Sequence, residues 1–309
     1  MKKSTGAFFV LLILLALVFE SRAQNMFRKI SDFDGDGKAD LAVTRYEGGL
    51  LIWYVWQSTA GIKRVHWGNG SDYPAAGDYD GDGKTDFATH RVSFNPLVGR
   101  FYILQSQTNT LVYHDLFVSL FNQPKHQDYD GDGKMDPANL SINGGATALS
   151  IFYSATNTTV TNFISDFPVK LGDFDGDRRA DYVTIQGGSP NRVTINGATI
   201  RVVNFGVNGD DYVPADFDGD GVGDLTVFRK TDGNWWWIRS SDGAVNVANW
   251  GISTDKPIPA DYDGDGKTDL AIYRAGTSES PQSYFWVRGS QTGIRVSAWG
   301  TMNDIVVQY

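Results

Sequence analysis

Six runs of alternating aspartate and glycine, beginning at Asp32, Asp78, Asp128, Asp173, Asp216 and Asp261, carry carboxylates at relative positions 1, 3, 5 and 9. A hard divalent cation such as calcium takes roughly 6 to 8 oxygen ligands, so a short loop has to curl until several carboxylates aim at one point. The side chains suited to this are Asp32, Asp34, Asp36 and Asp40 in the first run and Asp78, Asp80, Asp82 and Asp86 in the second. Asp128, Asp130, Asp132 and Asp136 form the third set, and Asp173, Asp175, Asp177 and Asp181 the fourth. Asp216, Asp218, Asp220 and Asp224 follow, then Asp261, Asp263, Asp265 and Asp269. Position 7 would add its backbone carbonyl and leave its side chain free, which suits the variety found there: Lys38, Lys84, Lys134, Arg179, Val222 and Lys267. Glycine at position 6 permits the sharp bend, since it takes positive φ without steric cost. The fourth run has Arg178 there instead, and strain plus added positive charge make it the loop expected to bind calcium most weakly.

A single such run would read as a hydrophilic Asp-Gly turn. Six copies with the same carboxylates favour six calcium sites. An EF-hand would need a glutamate at position 12 and flanking helices. The chain has only Glu20, Glu47 and Glu279, none of them there. Position 12 falls instead in strand-like runs such as Leu41-Ala42-Val43-Thr44 and Leu270-Ala271-Ile272-Tyr273, rich in the residues that pleated sheets prefer. These loops must therefore be positioned by strands.

The first aspartates lie 46, 50, 45, 43 and 45 residues apart, a period expected of propeller blades. Each period reads as a short strand, the acidic loop, an alternating strand, an aromatic strand (Leu51 to Gln57, Phe101 to Gln105, Trp235 to Arg239, Tyr284 to Arg288) and one strand more. The fold class expected is all-β, a propeller of six four-stranded blades with the acidic loops between first and second strands. A seventh blade would need roughly 45 more residues or a blade without its loop. Trp299-Gly300 to Tyr309 repeats the segment that precedes a loop, so Ile305 to Gln308 is expected to supply a closing strand to the first blade, with Phe27 to Ile30 competing for that place.

The D-x-D-x-D-G-x-x-D loops, the aromatic-Gly pairs Trp67-Gly68, Phe205-Gly206, Trp250-Gly251 and Trp299-Gly300, and the small residues before several loops together resemble the integrin-like FG-GAP and VCBS repeats. The second and third repeats lack a clear aromatic-Gly pair. The resemblance implies a calcium-loaded β-propeller module of a cell-surface or secreted protein. Thrombospondin-type calcium repeats share the loop but are cysteine-rich, and this chain has no cysteine.

Residues 1 to 23 stand apart: Lys2-Lys3, an apolar run from Phe8 to Phe19, then Ser21-Arg22-Ala23. This is the pattern of a secretory signal peptide, and the apolar run is too short to span a bilayer at about 20 residues. The domain expectation is a leader over 1–23 and one propeller over 24–309, placed outside the cell or in a periplasm. The net charge of −9 comes largely from loop aspartates. Six bound calcium ions would bring it to about +3, so the acidity serves metal binding, and no basic run points to nucleic acid.

Arg45, Arg91, Arg229 and Arg274 each fall five residues after the last aspartate of their loop. They could ring one face as a site for an anionic glycan or carboxylate, or make a repeated structural contact to the neighbouring blade. The aromatic strands, with Trp53 and Trp235-Trp236-Trp237, read mainly as core. Trp56, without an aromatic counterpart in the other repeats, is the candidate for an exposed ligand-stacking surface. Asp72, Asp211, Asp255 and Asp304 recur before loops or the closing strand and are expected in turns. The four histidines, His66, His90, His114 and His126, show no nucleophile-base pairing. The functional expectation is a non-enzymatic binding or adhesion module for an extracellular glycan or protein. The alternatives are a calcium-dependent polysaccharide lyase or hydrolase, and a structural module of a surface assembly.

Overall fold

The computed structural model describes residues 31–119, 121–143, 146–164 and 168–307. The expected leader and the Phe27 to Ile30 segment lie outside the described residues. Strands dominate, in six sheets of four. Blade 1 contains β1 (Leu41–Glu47), β2 (Leu50–Gln57) and β3 (Gly61–Asn69). Blade 2 contains β4 (Tyr73–Pro74), β5 (Phe87–Phe94), β6 (Leu97–Leu104) and β7 (Leu111–Leu116). Blade 3 is β8 (Phe121–Pro124), β9 (Ala138–Asn143), β10 (Ala146–Tyr153) and β11 (Thr158–Ile164). Blade 4 is β12 (Pro168–Gly172), β13 (Asp181–Gln186), β14 (Arg192–Asn196) and β15 (Ile200–Asn204). Blade 5 is β16 (Asp211–Tyr212), β17 (Leu225–Arg229), β18 (Asn234–Ile238) and β19 (Val245–Asn249). Blade 6 is β20 (Lys256–Pro257), β21 (Leu270–Arg274), β22 (Gln282–Gly289) and β23 (Gly293–Thr301), and the chain ends in β24 (Ile305–Val306).

Every sheet is antiparallel in sequence order except the first, whose order is β24-β1-β2-β3. The C-terminal strand pairs Val306 with Val43 and Ile305 with Thr44, and Val307 N–H donates to Ala42 O at 3.0 Å. The ring is thus closed by mixing the two ends of the chain in one blade, as expected from the repeated Trp299-Gly300 segment. Alternation along each strand sends side chains to both sheet faces, and both faces are covered by neighbouring blades. One buried cluster joins Val43 and Leu41 to Tyr273 and Phe285 across blades 1 and 6. Another joins Trp53 and Val55 to Phe87 across blades 1 and 2. Trp53 and Trp235 are fully buried, and truncating either to alanine should cost about 3–5 kcal/mol.

The aromatic-Gly tryptophans staple blades together. Trp67 Nε1 donates to Tyr102 O in the next blade at 3.0 Å, Trp250 Nε1 to Trp286 O at 3.2 Å, and Trp299 Nε1 to Tyr54 O at 3.4 Å, the last across the ring closure. Trp237 and Trp286 pack beside the buried Trp235 and Phe228 between blades 5 and 6. The segment from Val92 to Gly99 is a continuation of the β5–β6 hairpin, with Phe94 opposite Leu97 at its exposed tip.

Candidate metal centres

Five of the acidic loops join the first and second strands of their blades, and the first loop leads into β1, the second strand of blade 1, at the same end. The first-position carboxylate folds each loop over itself. Asp32 accepts the N–H of Gly35 at 2.6 Å and of Gly37 at 2.9 Å, and Asp261 does the same for Gly264 and Gly266 at 2.6 and 2.8 Å. At position 9 the carboxylate ties the loop's far end to its start, Asp40 accepting Phe33 N–H at 2.8 Å and Asp269 accepting Tyr262 N–H at 2.9 Å.

A second hairpin, joining the third and fourth strands, brackets the loop from the same side. Asp34 Oδ2 accepts from Thr59 and Ala60, and Asp263 Oδ2 from Gln291 and Thr292. Asp36 accepts the Ser58 hydroxyl at 2.6 Å, and Asp82, Asp132, Asp220 and Asp265 accept those of Ser106, Ser154, Ser240 and Ser290. The same five serines donate backbone N–H to Asp40, Asp86, Asp136, Asp224 and Asp269. These serines were not singled out from sequence, although a serine recurs at the end of the third strand in every repeat but the fourth. Blade 4 has Gly197 in this turn, so Asp177 has no such hydroxyl.

These donors hold both oxygens of Asp32, Asp34, Asp36 and Asp40 in place, and the carboxylates of the loops converge. Ligand oxygens lie within 4.8 Å of one another for Asp32, Asp34 and Asp36, for Asp78, Asp80 and Asp86, for Asp128, Asp130 and Asp136, for Asp173, Asp175 and Asp181, and for Asp216, Asp218 and Asp220. Burial, reinforced by neighbouring carboxylates, pushes the position-9 aspartates far above the ordinary carboxylate range. Asp40, Asp86, Asp136, Asp181 and Asp269 rise to about 7 and Asp224 to about 6. At position 3 of the sixth loop, Asp263 Oδ1 is buried with no hydrogen-bond partner. An all-oxygen set converging within 4.8 Å and crowded negative charge are what a calcium ion would satisfy, and the residues present fit that ion.

Adjacent loops are linked into one belt. The position-8 N–H of each loop donates to the first-aspartate carbonyl of the preceding blade: Thr85 to Asp32, Met135 to Asp78, Ala180 to Asp128, Gly223 to Asp173, Thr268 to Asp216, and Ala39 to Asp261 across the closure, at 2.6–2.7 Å. Position 7 belongs to this belt as well, which corrects the expectation of a free side chain. The Lys84 stem lies so close over Gly35 that a Cβ there would sit 2.8 Å from it, and Lys38 closes the circle over Gly264 at 3.0 Å. The glycine at position 4 is required by its left-handed backbone, φ 81° at Gly35 and 82° at Gly264, and the neighbouring stem closes over it. In the fourth loop Arg178 holds a positive φ of 68° while its N–H still bonds Asp173 at 2.9 Å.

The four arginines lie on the second strands, at the ends away from the loops, each in a bidentate pair with a buried carboxylate. Arg45 pairs with Asp304 at 2.6 and 2.9 Å and Arg91 with Asp72 at 2.6 and 2.7 Å. Arg229 pairs with Asp210 at 2.9 Å and Arg274 with Asp255 at 2.7 Å. The contact is made within the blade, to the turn that enters its first strand, and not to the neighbouring blade. In blade 5 the turn aspartate in this recurring place is Asp210 and not Asp211, whose carboxylate pairs with Lys230 at 2.8 Å. Blades 3 and 4 carry Ser141 and Gln186 at the arginine position. Trp56 is 40 % exposed and packs against Trp299 with centroids 5.6 Å apart. Of the histidines, His90 and His126 are buried, and burial pushes both down to about 4. His114 stacks on Phe152 at 3.8 Å, and His66 bonds Gly68 O.

No helix of the described residues is long and apolar enough to cross a membrane. No curated protein matches the sequence significantly. Among solved structures, a protein of Bacteroides uniformis ATCC 8492 provisionally named a 6-phosphogluconolactonase is similar, with 12 % identity and a TM-score of 0.41 over 85 % of this chain and 83 % of that one. A Bacteroides fragilis NCTC 9343 protein with the same provisional name gives 12 % identity and a TM-score of 0.37 over 87 % of this chain and 96 % of that one. Residues 32–89 match the family model of the FG-GAP-like repeat. They span the first loop, the rest of blade 1 and the second loop, a unit that the remaining blades repeat around the ring, and the chain is a six-bladed β-propeller with an FG-GAP-like repeat over residues 32–89.

Proposed function

We propose that this chain is an exported, calcium-stabilised binding module that presents an extracellular glycan or protein with the face opposite its acidic loops. The observation that carries the metal reading is the convergence of three aspartate oxygens within 4.8 Å in loop after loop, beside position-9 carboxyls raised by burial and mutual repulsion. The carboxylates at positions 1 and 3 would hold the ion with position 5 in the first and fifth loops and with position 9 in the second, third and fourth, and the carbonyl at position 7 would add to the set. Bound calcium supplies positive charge that cancels the crowding of carboxylates. The backbone N–H donors and hairpin serines keep those carboxylates aimed whether or not charge is present. Belt bonds between neighbouring loops would pass that rigidity around the ring.

The binding-module reading rests on the division of labour between faces. One face is occupied by short, repeated loops committed to their own carboxylates, while the other carries the variable connections and exposed apolar groups such as Phe94, Leu97 and Phe117. Rigid scaffolds present recognition through loops of this kind. The test is calorimetric titration of the metal-stripped protein with calcium, paired with melts of the stripped and loaded forms. Each loop holding calcium at 100-fold excess over its Kd contributes about 2.7 kcal/mol, so several equivalents should bind and the melting temperature should rise by more than ~10 °C. An unchanged melt with no heat of binding would reduce the loops to turns.

A further inference from the structure

The peptide unit between positions 7 and 8 serves two loops at once. Its N–H donates to the first-aspartate carbonyl of the preceding loop all the way around the ring, at 2.6–2.7 Å. A peptide is planar and trans, so its C=O points the opposite way from its N–H. In the fifth loop that carbonyl turns back into its own loop, where Val222 O accepts from Ser240 Oγ at 3.5 Å, the hydroxyl that also bonds the Asp220 carboxylate at 2.9 Å. The preceding loop therefore holds, by its N–H, the peptide whose oxygen the next loop would offer as a ligand.

One residue does both jobs. Asp173 folds its own loop with its carboxylate, which accepts the N–H groups of Gly176 and Arg178 at 2.7 and 2.9 Å, while its carbonyl accepts Gly223 N–H of the next loop at 2.6 Å. The next loop also crosses the preceding one at position 4, where a Cβ added to Gly219 would lie 3.0 Å from the Lys267 stem and 3.3 Å from Gly266 O. Between the fifth and sixth loops the bond is reciprocated: Thr268 N–H donates to Asp216 O at 2.7 Å, and Asp216 N–H donates back to Thr268 Oγ1 at 3.0 Å. Partners that orient a metal ligand from behind typically matter by about 10- to 100-fold in metal affinity.

We propose that the six loops bind calcium as a coupled ring, each filled loop strengthening its neighbour through the first-aspartate carbonyl. The coupling rests on the calcium binding proposed for the loops, which does not itself require it. An aspartate whose carboxylate is held by a cation keeps its carbonyl in place for the next loop's N–H. In return, a position-7 carbonyl engaged by a cation makes the N–H of its own peptide a stronger donor to the preceding loop, and coupling between two sites is reciprocal. Ala39 N–H closes the circuit on Asp261 O at 2.7 Å, so every loop has a neighbour on both sides, as in a nearest-neighbour array without ends.

The experiment is calcium titration of metal-stripped variants in which asparagine replaces the position-3 aspartate, keeping its shape and removing its charge. D34N/D80N/D130N leaves loops 4, 5 and 6 side by side, and D175N/D218N/D263N leaves loops 1, 2 and 3. D34N/D130N/D218N and D80N/D175N/D263N instead leave loops with no intact neighbour. Each loop is disabled once in either pair of variants, so differences between individual loops cancel. Coupling of about fivefold per link, the low end of the usual range, should give the contiguous trios a calcium midpoint about threefold lower and a steeper curve. Equal midpoints and slopes with calcium bound overturn the coupling and leave the calcium sites standing, whereas no binding by the natural sequence overturns both. D263N alone guards against triple variants that fail to fold. With its own loop disabled, the Thr268 N–H should still exchange with solvent severalfold more slowly when calcium is added, because the filled fifth loop holds its acceptor. Exchange at Thr268 that ignores calcium overturns the coupling.

Discussion

The two ends of each blade behave differently around the ring. At the loop end all six blades are nearly interchangeable: the same carboxylates, the same belt bonds at 2.6–2.7 Å, and the same close passage of a position-7 side chain over the neighbouring loop, from Arg179 over Gly131 at 3.3 Å to Lys84 over Gly35 at 2.8 Å. At the other end blades 1, 2, 5 and 6 share a bidentate arginine-aspartate pair. Blade 3 has Asn122 and Ser141 instead, with Asn122 Oδ1 and Ser141 Oγ buried and unpartnered. Blade 4 has Gln186 at the arginine position. The uniform end makes the closed ring, and the other end is where two blades depart from the repeat. Repetition here marks what the fold requires, and its local failure marks what is specific to this chain.

The widest test of that contrast is pH, because the loop end titrates as a set. The position-9 carboxyls have folded values near 6 or 7, above the ordinary value near 3.9, so the folded, metal-free chain holds protons that the unfolded chain releases. By linkage its stability falls as pH rises from about 4 to about 7. His90 and His126 oppose this, since their values are lowered to about 4 and their contribution grows as pH rises through the same window. Six carboxyls outnumber two histidines, so metal-free protein should melt higher at pH 5 than at pH 7.5. Calcium needs the carboxylates ionised, so in its presence the order should reverse. Melts at both pH values with and without calcium would show the crossing, and parallel curves would break the link between the loop carboxylates and the metal.

Next in size is the opposite end. Arg91→Met strands the fully buried Asp72 carboxylate, and removing one partner of such a pair costs about 3 kcal/mol, the low end of the usual range because the arginine is partly in water. Ser141→Ala at the corresponding site of blade 3 removes a hydroxyl that has no partner and should cost less than about 0.5 kcal/mol. Urea unfolding of both variants makes the comparison. Equal losses would mean that blade 3 has its own compensation and that the departure from the repeat is only apparent.

What could be read in advance follows the same division. Metal chemistry demands one side-chain type at fixed spacing, so the loops, their period and the six-bladed ring were legible, as was the closing strand from the extra Trp299-Gly300 segment. Belt bonds were not, because position 8 uses only its N–H and therefore accepts Ala39, Met135 or Gly223 alike. Asp210 was missed in favour of its neighbour Asp211 because either could cap the turn, and only the strand register decides between them. First strands as short as Tyr73–Pro74 or Lys256–Pro257 carry no periodicity from which their bounds can be recognised.

The smallest effect is also the most local, at the one place where the loop end itself departs from the repeat. Arg178 keeps the loop bonded at a φ of 68°, a conformation that costs a side-chain-bearing residue about 1 kcal/mol. Arg178→Gly should return about that much in metal-free protein and strengthen calcium binding at the fourth loop by removing a positive charge beside its carboxylates. Gly83→Arg is the reciprocal change at φ 93°, where an added Cβ meets nothing within 4 Å, so its cost is backbone strain and charge without a clash. The two substitutions should therefore give opposite shifts of similar size in unfolding free energy. If Gly83→Arg is much the more damaging, the fourth loop owes its tolerance of arginine to its own surroundings, including the absence of the bracketing serine, and it is a different kind of site from the other five.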